Sequence, residues 1–172
     1  MNEELSVEVG ADLARTSAGP VDPSTFRRVL GHFPSGVVIV SGHDELGPVG
    51  LTCQSFFSLS LEPPLVAIAP GRGSTSWPRI ARTGSFAVSV LGAEQERLCL
   101  AFAASGVDKF RDVSWRPGVT GSPIVDGALA WVDCRIDALH DGGDHHLVTG
   151  AVLDAGHAVG RPLVFFRGAF VL

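Results

Sequence analysis

The sequence predicts a mainly β protein, an antiparallel β-barrel with a few short helices. Many short runs of β-branched and apolar residues follow one another at close intervals, and turn residues separate them, as is typical of antiparallel sheets. Helical periodicity is confined to short segments. The regular alternation of strands and helices that a doubly wound dinucleotide-binding fold needs is missing.

The first half of the chain predicts a helix, a hairpin and a further strand. Residues 23–33 carry apolar side chains at helical spacing, with Asp22 as a start signal. The runs GVVIVSG and PVGLTCQSF flank a polar turn at residues 43–47 and predict a hairpin, and LVAIAP predicts a third strand. The segment STSWPRIARTG predicts a second short helix that runs through Ile80 and is stopped by Gly84.

The second half predicts four strands and one helix. SFAVSVL is interpreted as a strand, AEQERLCLAFAA as a helix, and ALAWVDCRIDAL, DHHLVTGAVLDA and PLVFFRGAFVL as three more strands. Residues 1–20 are acidic and lack a sustained apolar face, so we expect a flexible tail there. Residues 21–172 are expected to form a single domain.

Composition restricts the partners of the protein. The net charge of −5 and the absence of a basic tract argue against nucleic acid. No apolar run reaches the length of about 18 residues that a membrane helix needs, and the N-terminus lacks the layout of a signal peptide. We therefore expect a cytoplasmic protein that does not associate with a membrane. Cys53, Cys99 and Cys134 stand far apart and are expected to be reduced. The 45% content of hydrophobic residues in a short chain indicates that a second subunit covers some apolar surface, which predicts a homodimer.

Two segments could contact a ligand near the middle of the chain. Residues 71–76, GRGSTS, lie between a predicted strand and a helix start, where glycines, hydroxyls and free N–H groups favour a phosphate; a simple capped turn is an equally good interpretation. Residues 52–58, TCQSFFS, continue a strand into a polar segment that could bind the edge of a flat heteroaromatic ring. A strand with an outward polar side explains the same residues.

Two further candidates lie in the second half. The segment HDGGDHH contains three histidines, but His145 and His146 would point to opposite faces of a strand, so a metal site is not expected. One histidine that faces a ligand is the better functional interpretation, and a solvated hairpin tip is the structural one. Lys109, in DKF, is the only lysine of the chain and is either a contact to a phosphate or anionic ring, or a surface charge.

Eight segments follow one another along the chain: FRRVLGHFPSGVVIV, GLTCQSFFSLSLEPPLVAI, STSWPRI, SFAVSVL, DKF, GSPI, HDGGDHHLVTGAV and PLVFFRG. Taken in this order, they resemble the short flavin:NAD(P)H reductases of two-component monooxygenases. The resemblance runs from about Asp22 to the C-terminus and is closest to the branch that serves hydroxylases of phenolic and steroid-derived aromatic compounds. It implies a Greek-key split β-barrel of the FMN-binding type and a homodimer that binds FMN or FAD at its interface. NADH or NADPH would be the hydride donor.

The resemblance also assigns roles to the candidate segments. The flavin ring and ribityl chain would be lined by Thr52, Cys53, Gln54, Ser55 and Phe56, with Ser58 following. The phosphate end would be held by Arg72, Ser74, Thr75, Ser76 and Trp77, while Lys109 and Phe110 would close over the flavin. Gly143, Asp144 and His145 match a GDH segment whose histidine lies beside the nicotinamide, and Arg167 would help to bind that cofactor.

The expected function is therefore a flavin reductase that supplies diffusible reduced flavin to a monooxygenase of aromatic or phenolic substrates. Hydride would pass from nicotinamide C4 to flavin N5 between stacked rings, without an essential protein acid or base, and His145 would orient the nicotinamide. Two alternatives remain open: a flavin-binding redox or carrier protein without turnover, and a split barrel like that of pyridoxine-phosphate oxidases or haem-handling proteins.

Overall fold

The computed structural model describes residues 19–171, so all but the last two residues of the predicted tail lie outside it. The helices are α1 (Pro23–Leu30), α2 (Trp77–Thr83) and α3 (Glu96–Ala103), the last preceded by a 3-10 turn at Ala93–Gln95. The strands are β1 (Ser35–Gly36), β2 (Val38–Asp44), β3 (Gly47–Cys53), β4 (Phe56–Leu61), β5 (Pro64–Ile68), β6 (Ser85–Val90), β7 (Trp115–Pro117), β8 (Pro123–Val125), β9 (Ala130–Gly142), β10 (His145–His157), β11 (Val164–Phe166) and β12 (Ala169–Val171).

The main sheet has seven strands in the order β3-β2-β6-β9-β10-β5-β4, and every neighbouring pair is antiparallel. Because β6 pairs with β2 and β9 rather than with β5, the chain crosses over between β5 and β6 through α2. The long strands β9 and β10, with 13 residues each, connect the two halves, and register shifts near Gly150 and Asp154 bend them. Smaller sheets, β1-β11-β12 and β7-β8, complete the fold. The prediction of a mainly β, antiparallel protein is confirmed.

The core lies on both faces of β2. Val38 and Val40 pack with α2 on one side, where Ile80 is fully buried. Ile39 packs on the other side with Phe102 of α3, also fully buried. A strand covered on both faces needs apolar residues at consecutive positions, which explains the run VVIV in the sequence.

Local signals place the helix ends. The Asp22 carboxylate accepts hydrogen bonds from the backbone N–H groups of Ser24 and Thr25, both at 3.0 Å, and thus caps α1. Gly84 ends α2 in the left-handed conformation, with φ 73°, as its sequence position predicts. The predicted length of α1 is less accurate, because α1 ends at Leu30 rather than near residue 33. Helix α2 ends at Thr83, directly before Gly84, as predicted.

Two strand predictions require correction. PVGLTCQSF does not form one strand, because β3 ends at Cys53 and Phe56 begins β4, which turns back to pair with β5. PLVFFRGAFVL is also two strands, joined by a tight turn at Arg167 and Gly168 with φ values of 51° and 87°. A turn with positive φ at both central residues usually carries Asn or Asp before the glycine, so arginine hid this hairpin.

A bidentate ion pair ties α2 to the β2–β3 turn. Arg79 Nε donates to Asp44 Oδ2 at 2.8 Å, and Arg79 Nη2 donates to the other oxygen and to the Gly47 carbonyl. The hydrogen bond from Arg79 lowers the pKa of Asp44 to about 2.

We expect Asp44→Asn to make folding stability less sensitive to acid. A carboxyl whose pKa is lowered on folding contributes stability that is present above its unfolded pKa of about 4 and is lost as the pH falls towards about 2. Thermal unfolding between these pH values should therefore show a shallower fall in Tm for the variant than for the wild type. Glu45→Gln, which changes an exposed neighbouring carboxylate, is the control and should behave as the wild type. Parallel Tm profiles for Asp44→Asn and the wild type would contradict the role of the pair.

Candidate active site

Strand register brings two of the predicted segments to the same end of the main sheet. Phe56 of β4 and Val148 of β10 both pair with Ile68, on opposite sides of β5. The pairing continues past β5, because Ala69 N donates to the Ser55 carbonyl at 3.2 Å and His146 N donates to the Pro70 carbonyl at 3.0 Å. Neighbouring strands lie about 4.8 Å apart, so the backbones near residues 54 and 145 are separated by roughly 10 Å, with residues 69–71 between them.

Arg72 clamps this central segment to the β9–β10 turn. Its Nε donates to the Gly143 carbonyl and its Nη2 to Asp141 Oδ1, both at 2.7 Å. Its backbone N–H donates to the Asp144 carbonyl at 2.9 Å. The Arg72 side chain is thus directed at the hairpin, and the hydrogen bond from Arg72 lowers the pKa of Asp141. The predicted contact between Arg72 and a phosphate stays a prediction.

His145 lies at this clamped tip with its imidazole half exposed. Nδ1 lies 2.6 Å from Asp144 Oδ1. Since an ionised carboxylate only accepts, Nδ1 carries the proton, and in the neutral ring Nε2 is left as an acceptor. The hydrogen bond from His145 lowers the pKa of Asp144. A Cβ at Gly71 would lie 3.6 Å from Nε2, so the absence of a side chain there keeps this face of the imidazole open.

On the other side of residues 69–71, the hydroxyls of Thr52 and Ser55 make hydrogen bonds within the protein. Thr52 Oγ1 donates to the Cys99 carbonyl of α3 at 2.6 Å, and Ser55 Oγ donates to the Ala69 carbonyl at 3.0 Å. Cys53 is buried, whereas Gln54 is exposed and Phe56 is half-buried. Gln54 is therefore the side chain of this segment that is best placed to meet a ligand.

Lys109 holds the loop after α3 against the sheet. Its ammonium donates to the carbonyls of Phe102 (2.8 Å) and Gly50 (3.1 Å) and to Ser76 Oγ (3.3 Å). Burial lowers the pKa of this lysine. Three acceptors match the three donors of an ammonium, so Lys109 links β3, α3 and the start of α2.

A cavity of about 560 Å³ lies beside this lysine. It is lined by the predicted phosphate-binding residues Thr75 and Ser76, and its wall also contains Lys109, Arg111 and Asp108. Arg72 does not line it. The indole of Trp77, at 3% exposure, belongs to the core, so any contact from Trp77 to a ligand would have to come from its backbone.

The remaining predicted residues are more scattered. Ser74 Oγ accepts from Trp77 N at 3.1 Å, and Ser58 is exposed on β4. Phe110 is buried in the core on the side of β2 that Phe102 covers. Arg167, at the β11–β12 turn, meets Gln54 across another cavity of about 470 Å³.

Sequence reasoning missed several residues that shape this region. Arg27 of α1 lines the cavity of Gln54 and acts by charge on Asp144, and Gly71 leaves space for the imidazole. The amphipathic pattern of residues 23–33 predicted α1. It did not predict which segments α1 contacts, since these contacts depend on the β11–β12 turn. Within residues 19–171, no three His, Cys, Asp or Glu side chains converge as metal ligands.

Comparison with known proteins decides the family. The model of the flavin reductase like domain matches residues 30–171. The chain belongs to the flavin reductase-like family.

Relatives of this flavin reductase-like protein include the flavin-dependent monooxygenase reductase subunit HsaB of Mycobacterium tuberculosis. The two are 47% identical over 154 residues, which cover 87% of this chain and 82% of HsaB. The FMN reductase (NADH) SmoA of Agrobacterium fabrum is 41% identical over 152 residues, 88% of this chain and 87% of SmoA.

The fold is shared with the NADH:FAD oxidoreductase SgcE6 of Streptomyces globisporus, solved with NAD and FAD fragments. The TM-score is 0.83 at 39% identity, over 90% of this chain and 96% of SgcE6. The split β-barrel expected from the sequence is therefore confirmed. In the part of the chain that the structure describes, the helices have at most eight residues, and none is long and apolar enough to cross a bilayer.

Proposed function

We propose that this protein is an NADH-dependent flavin reductase that supplies reduced FMN or FAD to a partner monooxygenase of aromatic or phenolic substrates. One observation carries the proposal. In a chain of the flavin reductase-like family, Gln54 and His145 flank residues 69–71 at one end of the main sheet, roughly 10 Å apart. Both backbones therefore lie at the end of the sheet where a flavin and a nicotinamide would meet.

The residues present fit a flavin. The exposed Gln54 amide can donate to and accept from the polar edge of the ring, and half-buried Phe56 offers an apolar neighbour. Apart from Arg79, which is paired with Asp44, the charged residues that line the cavity beside Thr75 are Lys109, Arg111 and Asp108, and this excess of positive charge suits the phosphate end. When bound, the flavin accepts a hydride from the reduced nicotinamide.

The residues of this chain hold the two cofactors in position and do not exchange protons with them. Asp144 holds the proton on His145 Nδ1, so Nε2 is free to accept a hydrogen bond from the carboxamide of the nicotinamide. The Arg72 clamp fixes the backbone that carries Asp144 and His145. Catalysis then arises from the near-attack placement of two rings.

Replacing His145 by alanine is expected to raise the KM for NADH about tenfold with a smaller change in kcat, because a hydrogen bond to the bound nicotinamide is lost. Steady-state kinetics at saturating flavin measures this. His140→Ala is the matched control, since His140 is an exposed histidine of β9. An unchanged KM in His145→Ala would remove His145 from the site.

We propose that the protein is a homodimer. β4, an edge strand of the main sheet, leaves Phe57, Leu59 and Leu61 with 48%, 47% and 90% of their surface exposed. Leu147 of β10 lies on the same face as Phe57, since Phe57 and Thr149 both pair with Ala67 and Leu147 lies two residues from Thr149. A second copy of the chain would remove this apolar surface from water. Light scattering should give twice the mass of the chain, and a monomeric mass would contradict the proposal.

We also expect the protein to function in the cytoplasm. Cys53, Cys99 and Cys134 are buried free thiols, which are typical of a reducing compartment. Cell fractionation with an antibody against the protein tests this.

Flavin dependence of NADH oxidation tests the proposed activity. Purified protein, colourless or nearly so, should oxidise NADH only when FMN or FAD is added, and the rate should saturate with either substrate. The coupled monooxygenase should then turn over with flavin in catalytic amounts. A permanently yellow protein without NADH oxidation would instead support a flavin carrier.

A further inference from the structure

The cavity beside Lys109 has apolar as well as phosphate-binding groups in its wall. Besides Thr75 and Ser76, four apolar residues line it: Leu46, Pro48, Val107 and Trp115. Leu46 and Val107 expose 82% and 56% of their surface, and Trp115 is half-buried. None of the four belongs to a segment that the family resemblance assigns to the flavin. Exposed apolar side chains around a concave surface are typical of a site that binds an apolar group.

The volume of this cavity exceeds what a phosphate group needs. A phosphate takes up the space of about three water molecules, or roughly 90 Å³. The cavity measures about 560 Å³. An FMN phosphate bound at Thr75 and Ser76 would therefore leave most of the cavity to water, whereas a ligand with a second nucleotide could fill it.

Strand β3 connects this cavity with Gln54. Pro48 and Gly50 of β3 line the cavity, and Gln54 follows the last residue of the strand. Because a strand rises about 3.3 Å per residue, the backbones of Gly50 and Gln54 lie roughly 13 Å apart. The ribityl chain and phosphate of a flavin bridge a distance of this order. A flavin whose polar edge meets Gln54 would thus bring its phosphate to the cavity, and a group attached to that phosphate would reach the apolar residues.

Trp115, at the start of β7, is held by aromatic neighbours. Its ring lies 6.2 Å from the Phe110 ring in an edge-on arrangement and 5.8 Å from the His43 ring, measured between centroids. Phe110 is buried in turn. An indole that is already fixed loses little freedom when a ligand stacks on it, so its contact area contributes more fully to affinity.

The hairpin that carries Trp115, β7–β8, is bound to the main sheet by buried polar side chains from three neighbouring strands. Ser41 of β2 donates to the first carbonyl of β8, and Ser89 Oγ of β6 accepts from a β8 N–H at 3.0 Å. The Asp133 carboxylate of β9 accepts from the N–H (2.7 Å) and the hydroxyl (2.6 Å) of Thr120. All three side chains are fully buried. Such a network fixes the position of the hairpin, and with it the position of Trp115.

We infer that Trp115 stacks on the adenine ring of FAD, with Leu46 and Pro48 beside it, so that the protein binds FAD more tightly than FMN. This inference rests on the proposed reductase function and names its preferred flavin. A nucleobase presents an aromatic face that stacks well on an aromatic side chain.

Charge alone would not produce this preference. The phosphate of FMN carries about −1.5 to −2 charges at pH 7, and the diphosphate of FAD carries about −2. The positive wall of the cavity attracts both flavins to a similar degree, so the difference in affinity has to come from the adenosine.

The test compares the two flavins in matched variants. The variants are Trp115→Leu, Trp115→Phe and Leu46→Ser. The control is Trp131→Leu, because Trp131 is a half-buried tryptophan of β9 that stacks with Arg116 and does not line the cavity. For each protein, the dissociation constants of FAD and FMN are measured by calorimetric titration, together with the Tm and the rate of NADH oxidation with each flavin.

The wild type is expected to bind FAD about tenfold more tightly than FMN. Trp115→Leu should bring the dissociation constant for FAD close to that for FMN and leave FMN binding unchanged. Trp115→Phe, which keeps an aromatic face, should retain most of the preference, and Leu46→Ser should lose part of it, roughly threefold. Trp131→Leu should show the wild-type ratio.

Equal affinities of the wild type for the two flavins would overturn the inference. So would a loss of affinity by the same factor for both flavins in Trp115→Leu, since that result shows a structural role for Trp115. If Trp115→Leu does not fold, the exposed Leu46 decides: a wild-type ratio in Leu46→Ser overturns the inference, and a reduced ratio supports it.

The same measurements separate this inference from the proposed function. A wild type that prefers FAD through Trp115 but oxidises no NADH would keep the adenine site and refute the reductase. A wild type that oxidises NADH with both flavins bound equally well would keep the reductase and refute the adenine site.

Discussion

Replacing Phe102 by alanine is expected to lower the free energy of unfolding by about 3–5 kcal/mol, the usual cost of removing a buried aromatic ring. Phe102 is fully buried and packs edge-on against Phe110, with the ring centroids 4.9 Å apart. Its carbonyl also accepts a hydrogen bond from Lys109. The loop after α3 should therefore loosen, and flavin affinity should fall together with stability. Urea unfolding and flavin titration measure the two effects.

Gly50 provides the test of this packing. A Cβ at Gly50 would lie 2.6 Å from the Phe102 ring, so Gly50→Ala should itself be destabilising. In the Phe102→Ala background the same substitution fills vacated space and should cost clearly less, which makes the pair non-additive. Leu100→Ala, an exposed leucine of α3, is the control for a change in the helix alone. Additive effects of the two core substitutions would contradict the contact.

Arg72→Gln and Asp141→Asn are each expected to raise the KM for NADH, by roughly threefold to tenfold, with little change in flavin affinity. Arg72→Gln removes both side-chain bonds of the clamp that holds the turn before His145, and Asp141→Asn removes its ion pair. Because the two side chains act as one unit, the double variant should be no worse than the stronger single variant. Steady-state kinetics and flavin titration of the three variants measure this.

The same experiment separates two roles of Arg72. If Arg72 contacts the flavin phosphate, as the sequence predicts, Arg72→Gln should weaken flavin binding and Asp141→Asn should not. If Arg72 positions the hairpin, the two single variants should resemble each other. The distances to Asp141 and Gly143 favour the second outcome.

Local sequence signals predicted the structural features that depend on residues close together in the chain. The run GVVIVSG predicted a strand, Asp22 and Gly84 marked helix ends, and the polar turn at residues 43–47 predicted the first hairpin. The candidate segments also contained the residues that converge at the end of the main sheet. Their identification, however, came from resemblance to a family, because the residues alone left a turn or a surface charge equally acceptable.

Contacts between distant segments could not be predicted. Nothing near Arg72 in the sequence shows that its guanidinium reaches Asp141, 69 residues away, and the three acceptors of Lys109 come from three different elements. The β11–β12 turn was missed because arginine rarely adopts a positive φ. In each case the deciding interaction is set by the sheet order, which brings together segments that are far apart in the chain.

A crystal structure of the protein with flavin and a nicotinamide dinucleotide bound shows directly whether the two rings meet at this end of the main sheet. We expect a flavin ring whose polar edge contacts residues 54–56, a nicotinamide stacked on it within van der Waals distance, and His145 Nε2 in hydrogen-bond reach of the carboxamide. Flavin bound elsewhere, or a nicotinamide ring on the far side of the sheet from His145, would contradict the proposed site.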